Sequence, residues 1–156
     1  MTIAAMLGVH KRPQGTFDAD LEFKDAGLVA ASAAATVDSA AAVIDVGTGL
    51  FKGCMIIDVT ALDIDGNNEI YDIIVQGSTV AAFATAGSIV ELAALNLSAK
   101  EVKRSDSDKD DAVGRYKIYF DNENNGTEYR YLRVYTVVAG AGVSTGINYS
   151  AYAVQM

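Results

Sequence analysis

The alternation of apolar and polar side chains is the feature that most constrains the fold of this chain. Residues 55–61 and 71–75 both alternate with a period of two, which is typical of strands with one buried face. Between them, residues 65–68 read Asp-Gly-Asn-Asn, which is turn chemistry. The pattern therefore predicts a β-hairpin here, and the apolar run at 89–97 predicts a further strand.

The C-terminal third repeats this pattern. Residues 116–120 alternate, the Asn-Asn-Gly sequence at 124–126 tolerates the positive φ of a tight turn, and 129–138 returns as a long strand. A glycine-rich loop at 140–146 precedes a last strand at 147–154. Short strands at this spacing, separated by glycine-rich turns, predict an all-β protein with a jelly-roll-like β-sandwich.

The segment 26–42 is ambiguous by composition. Its nine alanines favour a helix, but serine and threonine interrupt them and no stripe of large apolar residues recurs at helical spacing. We therefore expect extended structure in this segment. Residues 1–20 contain the only proline and the only histidine and predict an extended N-terminal arm, whereas residues 21–156 predict a single sandwich domain.

Charge and apolar content exclude several classes of partner. The formal net charge is −8, with the acidic excess in residues 1–99. Tight nucleic-acid binding needs clustered Lys and Arg, so we expect no nucleic-acid partner. Lys11 and Arg12 follow the apolar start, whereas a secretory signal carries its charges before it. No apolar run approaches the ~20 residues of a membrane span, so we expect no membrane partner and synthesis in the host cytoplasm.

Residues that could support catalysis or metal binding are sparse. His10 lies alone in the predicted arm and Cys54 lies in an apolar run, so neither has the partners of a nucleophilic or zinc site. Residues 63–69 have oxygen ligands suited to calcium but do not match the EF-hand pattern, which favours a plain acidic turn. The Gly-Thr-Gly sequence at 47–49 lacks a following helix and is interpreted as a turn. We expect no enzyme activity and no cofactor.

Two features predict contact with another protein. On the strand that starts at Tyr129, one face combines tyrosine and arginine, a composition typical of binding hot spots. The members of this face are Tyr129, Tyr131, Arg133 and Tyr135. The alternative is that these side chains only pack across neighbouring strands. The second feature is a set of apolar arm residues without an evident place in a sandwich: Ile3, Met6, Leu7, Val9 and Phe17.

Several short stretches also carry a family resemblance. They are Leu21 to Ala26 with the Ala/Ser/Thr-rich stretch that follows, Val43 to Gly47, Arg130 to Tyr135, Gly140 to Gly146, and Ser150 to Val154. In order and spacing they resemble the capsid cement (decoration) proteins of short-tailed bacteriophages. The similarity covers roughly residues 21–77 and 128–155, whereas 78–127 depart from the family pattern.

The resemblance implies a jelly roll that binds the outer surface of the phage head and stabilises the shell by bridging subunits of the major capsid protein. It also implies a homo-oligomer, a dimer or a trimer, on the virion exterior, and no cofactor. The alternative is a carbohydrate-binding jelly-roll module of a phage or bacterial adhesin, because exposed aromatic and acidic residues also bind sugars. The lack of tryptophan weakens that alternative.

Overall fold

The computed structural model describes residues 17–84, 87–103, 109–140 and 145–156. Thirteen strands lie in this part of the chain. They are β1 (Glu22–Val29), β2 (Ala33–Ala34), β3 (Thr36–Val37), β4 (Ala40–Ala41), β5 (Ile44–Asp45), β6 (Lys52–Leu62), β7 (Ile70–Ser78), β8 (Ile89–Ser98), β9 (Gly114–Asp121), β10 (Glu123–Asn124), β11 (Thr127–Glu128), β12 (Tyr131–Ala139) and β13 (Ile147–Gln155). Single 3-10 turns lie at Ala19–Leu21 and Lys100–Val102.

Two antiparallel sheets form the body of the protein. Sheet A has the strand order β1-β13-β6-β9. Sheet B has the order β2-β12-β7-β8, and the short β5 also pairs with β12. Two small ribbons, β3-β4 and β10-β11, lie in the connections. The prediction of an all-β sandwich is confirmed, and the jelly-roll topology stays a prediction.

The core lies between the two sheets. Alternate residues of each long strand point into it, as the period of two requires. The fully buried aliphatic side chains include Met55, Ile57, Ile73, Val75, Leu132, Val134 and Ile147. Burying one side chain of this size contributes about 1.5–3 kcal/mol, so this inner layer is the main source of stability. The opposite side chains of the same strands form the two outer faces.

One buried polar contact joins the sheets inside this core. The Tyr149 hydroxyl on β13 lies 2.5 Å from Thr136 Oγ1 on β12, and both residues are buried. The Lys24 ammonium lies 4.8 Å from the centre of the Tyr149 ring. It donates hydrogen bonds to the carbonyls of Asp25, Gly27 and Tyr149, which satisfies all three of its protons. Lys24 therefore stabilises the irregular edge strand β1 from the inside.

The hairpin predicted around residues 65–68 is wrong. β6 belongs to sheet A and β7 to sheet B, so residues 63–69 carry the chain from one sheet to the other. The passage from β9 to β12 through the β10-β11 ribbon also changes sheets. The physical reason is that alternation gives the buried face of a strand but does not choose the strand with which it pairs.

The alanine-rich segment is extended, as expected. It contains the end of β1 and the short strands β2, β3 and β4. Ala33 and Ala34 pair with Thr136 and Tyr135 on β12, at the edge of sheet B. Pairing with an existing sheet outweighs the helix propensity of alanine, which is worth only tenths of a kcal/mol per residue.

Candidate interaction surface

Alternation along β12 separates a core side from an outer side. Leu132 and Val134 are fully buried between the sheets, whereas Tyr131, Arg133 and Tyr135 are partly exposed on the outer side of sheet B. We call these last three residues the Tyr-Arg face. The sequence predicted that they share one side of a strand, and the structure places them together there.

Two neighbouring elements hold Arg133 in place. Its Nε donates a 2.9 Å hydrogen bond to Oε1 of Gln76, the residue opposite it on β7. Its guanidinium lies 4.3 Å from the centre of the Phe83 ring and 5.5 Å from the centre of the Tyr135 ring. Burial lowers the pKa of Arg133 from its ordinary value. The guanidinium is therefore held in one orientation before any other protein binds. Part of its surface is already covered by the Phe83 and Tyr135 rings.

Phe83 reaches Arg133 from the connection between β7 and β8. It is 6% exposed, and its φ of 49° is a left-handed conformation that bulky residues rarely adopt. Its amide donates a 3.3 Å hydrogen bond to the carbonyl of Val80, which closes a tight turn. Sequence reasoning missed Phe83 because no local pattern shows that this residue folds back over the sheet.

An ion pair closes one end of the Tyr-Arg face. Arg130 Nε and Nη2 each lie 2.7 Å from a carboxylate oxygen of Asp45 on β5. Hydrogen bonds from Arg130 and from the Gly47 amide lower the pKa of Asp45 to about 2. The Arg130 guanidinium also lies 5.4 Å from the centre of the Tyr131 ring. This pair ties β5 to the start of β12 and borders Tyr131.

Tyr129 lies apart from the Tyr-Arg face, contrary to the expected alternation. β12 begins at Tyr131, and the Tyr129 amide donates to the carbonyl of Asn122 at 2.7 Å. A Cβ built on Gly77 would come within 2.9 Å of Tyr129 Cβ. Gly77 pairs with Leu132, whose side chain is in the core, so Tyr129 lies on the inner side of sheet B. The alternation fails because Tyr129 lies in the connection between β11 and β12, before the regular strand begins.

Phe17 lies on the opposite side of the protein, outside sheet A. Its ring packs edge-on against Tyr152 of β13, with 5.5 Å between the ring centres. Tyr152 points outward because its neighbours Ala151 and Ala153 fill the core. Phe17 remains 53% exposed. The other arm residues predicted to bind a partner lie outside the described residues: Ile3, Met6, Leu7 and Val9.

A groove lies beside the Tyr-Arg face on the same side of sheet B. We call it the outer groove, and its volume is about 520 Å³. Its lining residues are Asp72, Ile74, Glu91, Ala94, Asn96, Lys103, Asp111 and Val137. Ile74 also pairs with Tyr135, so the groove and the face share a border.

The outer groove combines an apolar floor with a polar rim. Asn96 Nδ2 donates a 2.6 Å hydrogen bond to Asp72 Oδ1, and Asn96 Oδ1 accepts one of 2.7 Å from Ser98. Lys103 and Asp111 form an ion pair of 2.8 Å on the opposite wall. Sequence reasoning missed this groove because its walls come from distant segments. Polar residues at outward strand positions, such as Asp72 and Asn96, were the available clue.

Two of the three carboxylates in the acidic segment 63–69 accept hydrogen bonds from the backbone. Asp63 Oδ2 accepts a 2.9 Å hydrogen bond from the Thr145 amide, and Glu69 Oε1 accepts one of 2.6 Å from the Gly66 amide. Within the described residues, no group of three or more His, Cys, Asp or Glu side chains is placed to hold a metal ion. No helix in the same part of the chain is long and apolar enough to cross a membrane.

Neither a protein-family model nor a curated protein matches this chain. The candidate functional surface is therefore the outer side of sheet B, where an oriented aromatic and cationic surface borders a polar groove.

Proposed function

We propose that this protein is a bacteriophage capsid cement protein that binds the outside of the head and bridges major capsid protein subunits. The observation that carries the proposal is the Tyr-Arg face. It aligns large side chains on one strand of an antiparallel sheet, with Arg133 already oriented by Gln76 and Phe83. Tyrosine and arginine are enriched among the residues that dominate binding energy at protein interfaces.

The physical character of this surface suits binding that stabilises the capsid shell. An oriented arginine and tyrosines with few rotatable bonds lose little entropy on binding. Many copies on one shell add their contacts through multivalency, so each site needs only modest affinity. The net charge of −8 favours the solubility of copies that have not yet bound a head. In this proposal the protein acts as a dimer or trimer on the virion exterior, without catalysis or a cofactor.

The proposal is tested with heads of the phage that encodes the protein, purified without it. We expect the protein to bind these heads and to raise the temperature at which they rupture. Replacing Tyr131 by Ala removes a large contact from the Tyr-Arg face, so head binding should weaken about tenfold, the effect of a loss of ~1.4 kcal/mol. The melting temperature of the isolated variant should fall by no more than a few degrees, because Tyr131 lies outside the core.

Tyr119→Ala is the matched control. Tyr119 is 67% exposed on β9 of sheet A, so its loss removes the same side chain from the other side of the protein. This variant should bind heads normally. Binding to a glycan panel together with indifference to heads would contradict the proposal and favour the carbohydrate-binding alternative. Equal binding by both variants would show that the Tyr-Arg face is not the contact.

A further inference from the structure

The lining of the outer groove combines apolar and acidic side chains. Its floor is formed by Ile74, Ala94 and Val137, and its rim carries Asp72 and Glu91. Glu91 is exposed on β8, and Asp72 is partly exposed on β7. Carboxylates beside an apolar floor favour Lys or Arg side chains that accompany apolar residues. The opposite wall adds no net charge, because its lysine and aspartate pair with each other.

Residues 1–16 of this chain have that chemical character. They contain the apolar residues Ile3, Met6, Leu7 and Val9, followed by Lys11 and Arg12. All twenty Asp and Glu residues of the chain lie after residue 16. An apolar, basic segment attached to an acidic body is attracted to the acidic sites of that body, in the same copy or in another.

The position of Phe17 argues against binding within one copy. Phe17 lies outside sheet A against Tyr152 of β13, next to the edge strand β1. The outer groove lies outside sheet B at the other lateral edge, where β8 lies beside β9. The path between them crosses several strands and the thickness of the sandwich, roughly 30 Å at the usual strand and sheet spacings.

Within one copy, the two cations could cover that distance only with the chain fully stretched. Arg12 and Lys11 lie five and six residues before Phe17, a backbone span of at most about 20 Å for extended chain, which only their long side chains extend further. Fixing the whole segment in one extended path has a high cost in conformational entropy. A neighbouring copy can present its groove without this constraint, so the charge match points to a second molecule.

We propose that residues 1–16 of one copy bind in the outer groove of a second copy, with Lys11 and Arg12 against Asp72 and Glu91. The apolar residues of the segment then cover the floor of the groove. This interaction is independent of capsid binding, since it concerns how copies of the chain associate with one another.

The test uses the full chain, a variant lacking residues 2–16, and a fluorescent peptide of residues 1–16. Sedimentation velocity should show an oligomer for the full chain and a monomer for the deletion variant. The peptide should bind the deletion variant, and the binding should weaken as salt is raised, because salt screens charge pairs at the surface. Glu91→Lys should weaken peptide binding by about tenfold, since it places like charges together.

Glu128→Lys provides the matched control. It makes the same charge change at an exposed residue of β11 that does not line the groove, and should leave peptide binding unchanged. The inference is overturned if the full chain is monomeric at every concentration, if its oligomer survives the deletion, or if Glu91→Lys and Glu128→Lys bind the peptide equally. It is also overturned if the groove binds glycans and not the peptide. These measurements use no phage heads, so their failure is separate from a failure of head binding.

Discussion

Replacing Arg133 by Ala tests whether this residue stabilises the fold as well as the predicted interface. The substitution removes the stack on Phe83 at 4.3 Å and the 2.9 Å hydrogen bond to Gln76. A partly buried cation–π contact contributes about 0.5–2 kcal/mol, and a hydrogen bond from a charged donor about 1.5–3 kcal/mol. Both contacts involve one group and do not add fully. We therefore expect the free energy of unfolding to fall by about 2 kcal/mol, a factor of roughly thirty in the folding constant.

Urea denaturation measures this loss, with an unchanged m-value showing that the native state is otherwise intact. Tyr131→Ala is the comparison on the same strand. It should lower the free energy of unfolding by less than about 1 kcal/mol, because Tyr131 is a surface position. A double-mutant cycle with Phe83→Leu should give a coupling energy of about 1 kcal/mol, since each single variant breaks the same stack. Hydrogen exchange at the Phe83 amide should accelerate in Arg133→Ala, because the turn loses its anchor.

Full stability of Arg133→Ala together with lost head binding would refute this reasoning. Arg133 would then be a contact residue only, and the stack on Phe83 would contribute nothing measurable. A variant that is destabilised by about 2 kcal/mol but still binds heads would place the adhesive contact elsewhere. The Tyr131 variant is therefore the cleaner probe of binding, and the Arg133 variant the cleaner probe of the fold.

Three further predictions concern the interior and the acidic turn. Tyr149→Phe should lower the free energy of unfolding, measured with urea, by about 1–2 kcal/mol, because it leaves the Thr136 hydroxyl without its partner. The double variant with Thr136→Val should lose less free energy than the sum of the losses in the two single variants. Burial raises the pKa of the Tyr149 hydroxyl to about 12. The stabilisation linked to its neutral form is therefore complete below about pH 10, the ordinary pKa of tyrosine, and is lost as pH rises through 12. A free energy of unfolding that stays constant across this range would contradict the burial of this hydroxyl. Removing calcium with a chelator should leave the melting temperature unchanged, because Asp63 and Glu69 already accept backbone hydrogen bonds. A drop of several degrees would reveal a metal site that this reasoning missed.

The features that could be predicted from the sequence are those that local geometry determines. The outward position of Tyr131, Arg133 and Tyr135 follows from alternation along a single strand. The extended state of segment 26–42 was also accessible, since it lacks a stripe of large apolar residues and so had no reason to form a packed helix.

The features that could not be predicted depend on contacts between distant residues. The pairing of β7 with β12 instead of β6 is decided by the whole sandwich, because β6 and β12 both have an apolar buried face. The cover that Phe83 places over Arg133 requires a loop conformation with positive φ at a bulky residue, which sequence statistics disfavour. The outer groove was hidden because residues such as Asp72 and Lys103 become neighbours only after folding.

The two sides of the sandwich also bear on the oligomer that the protein can form. Phe17, where the N-terminal segment begins, lies outside sheet A, whereas the outer groove lies outside sheet B. If two copies exchange residues 1–16 reciprocally, a twofold axis parallel to the sheets places the outer side of sheet A of each copy beside the outer side of sheet B of the other, and the result is a closed dimer. If each copy donates its segment to the next without reciprocity, the contact is heterologous and closes into a ring, such as a trimer, or continues as a filament. Both the dimer and the trimer expected from the sequence are therefore compatible with this exchange, and the mass measured by sedimentation of the full chain distinguishes them.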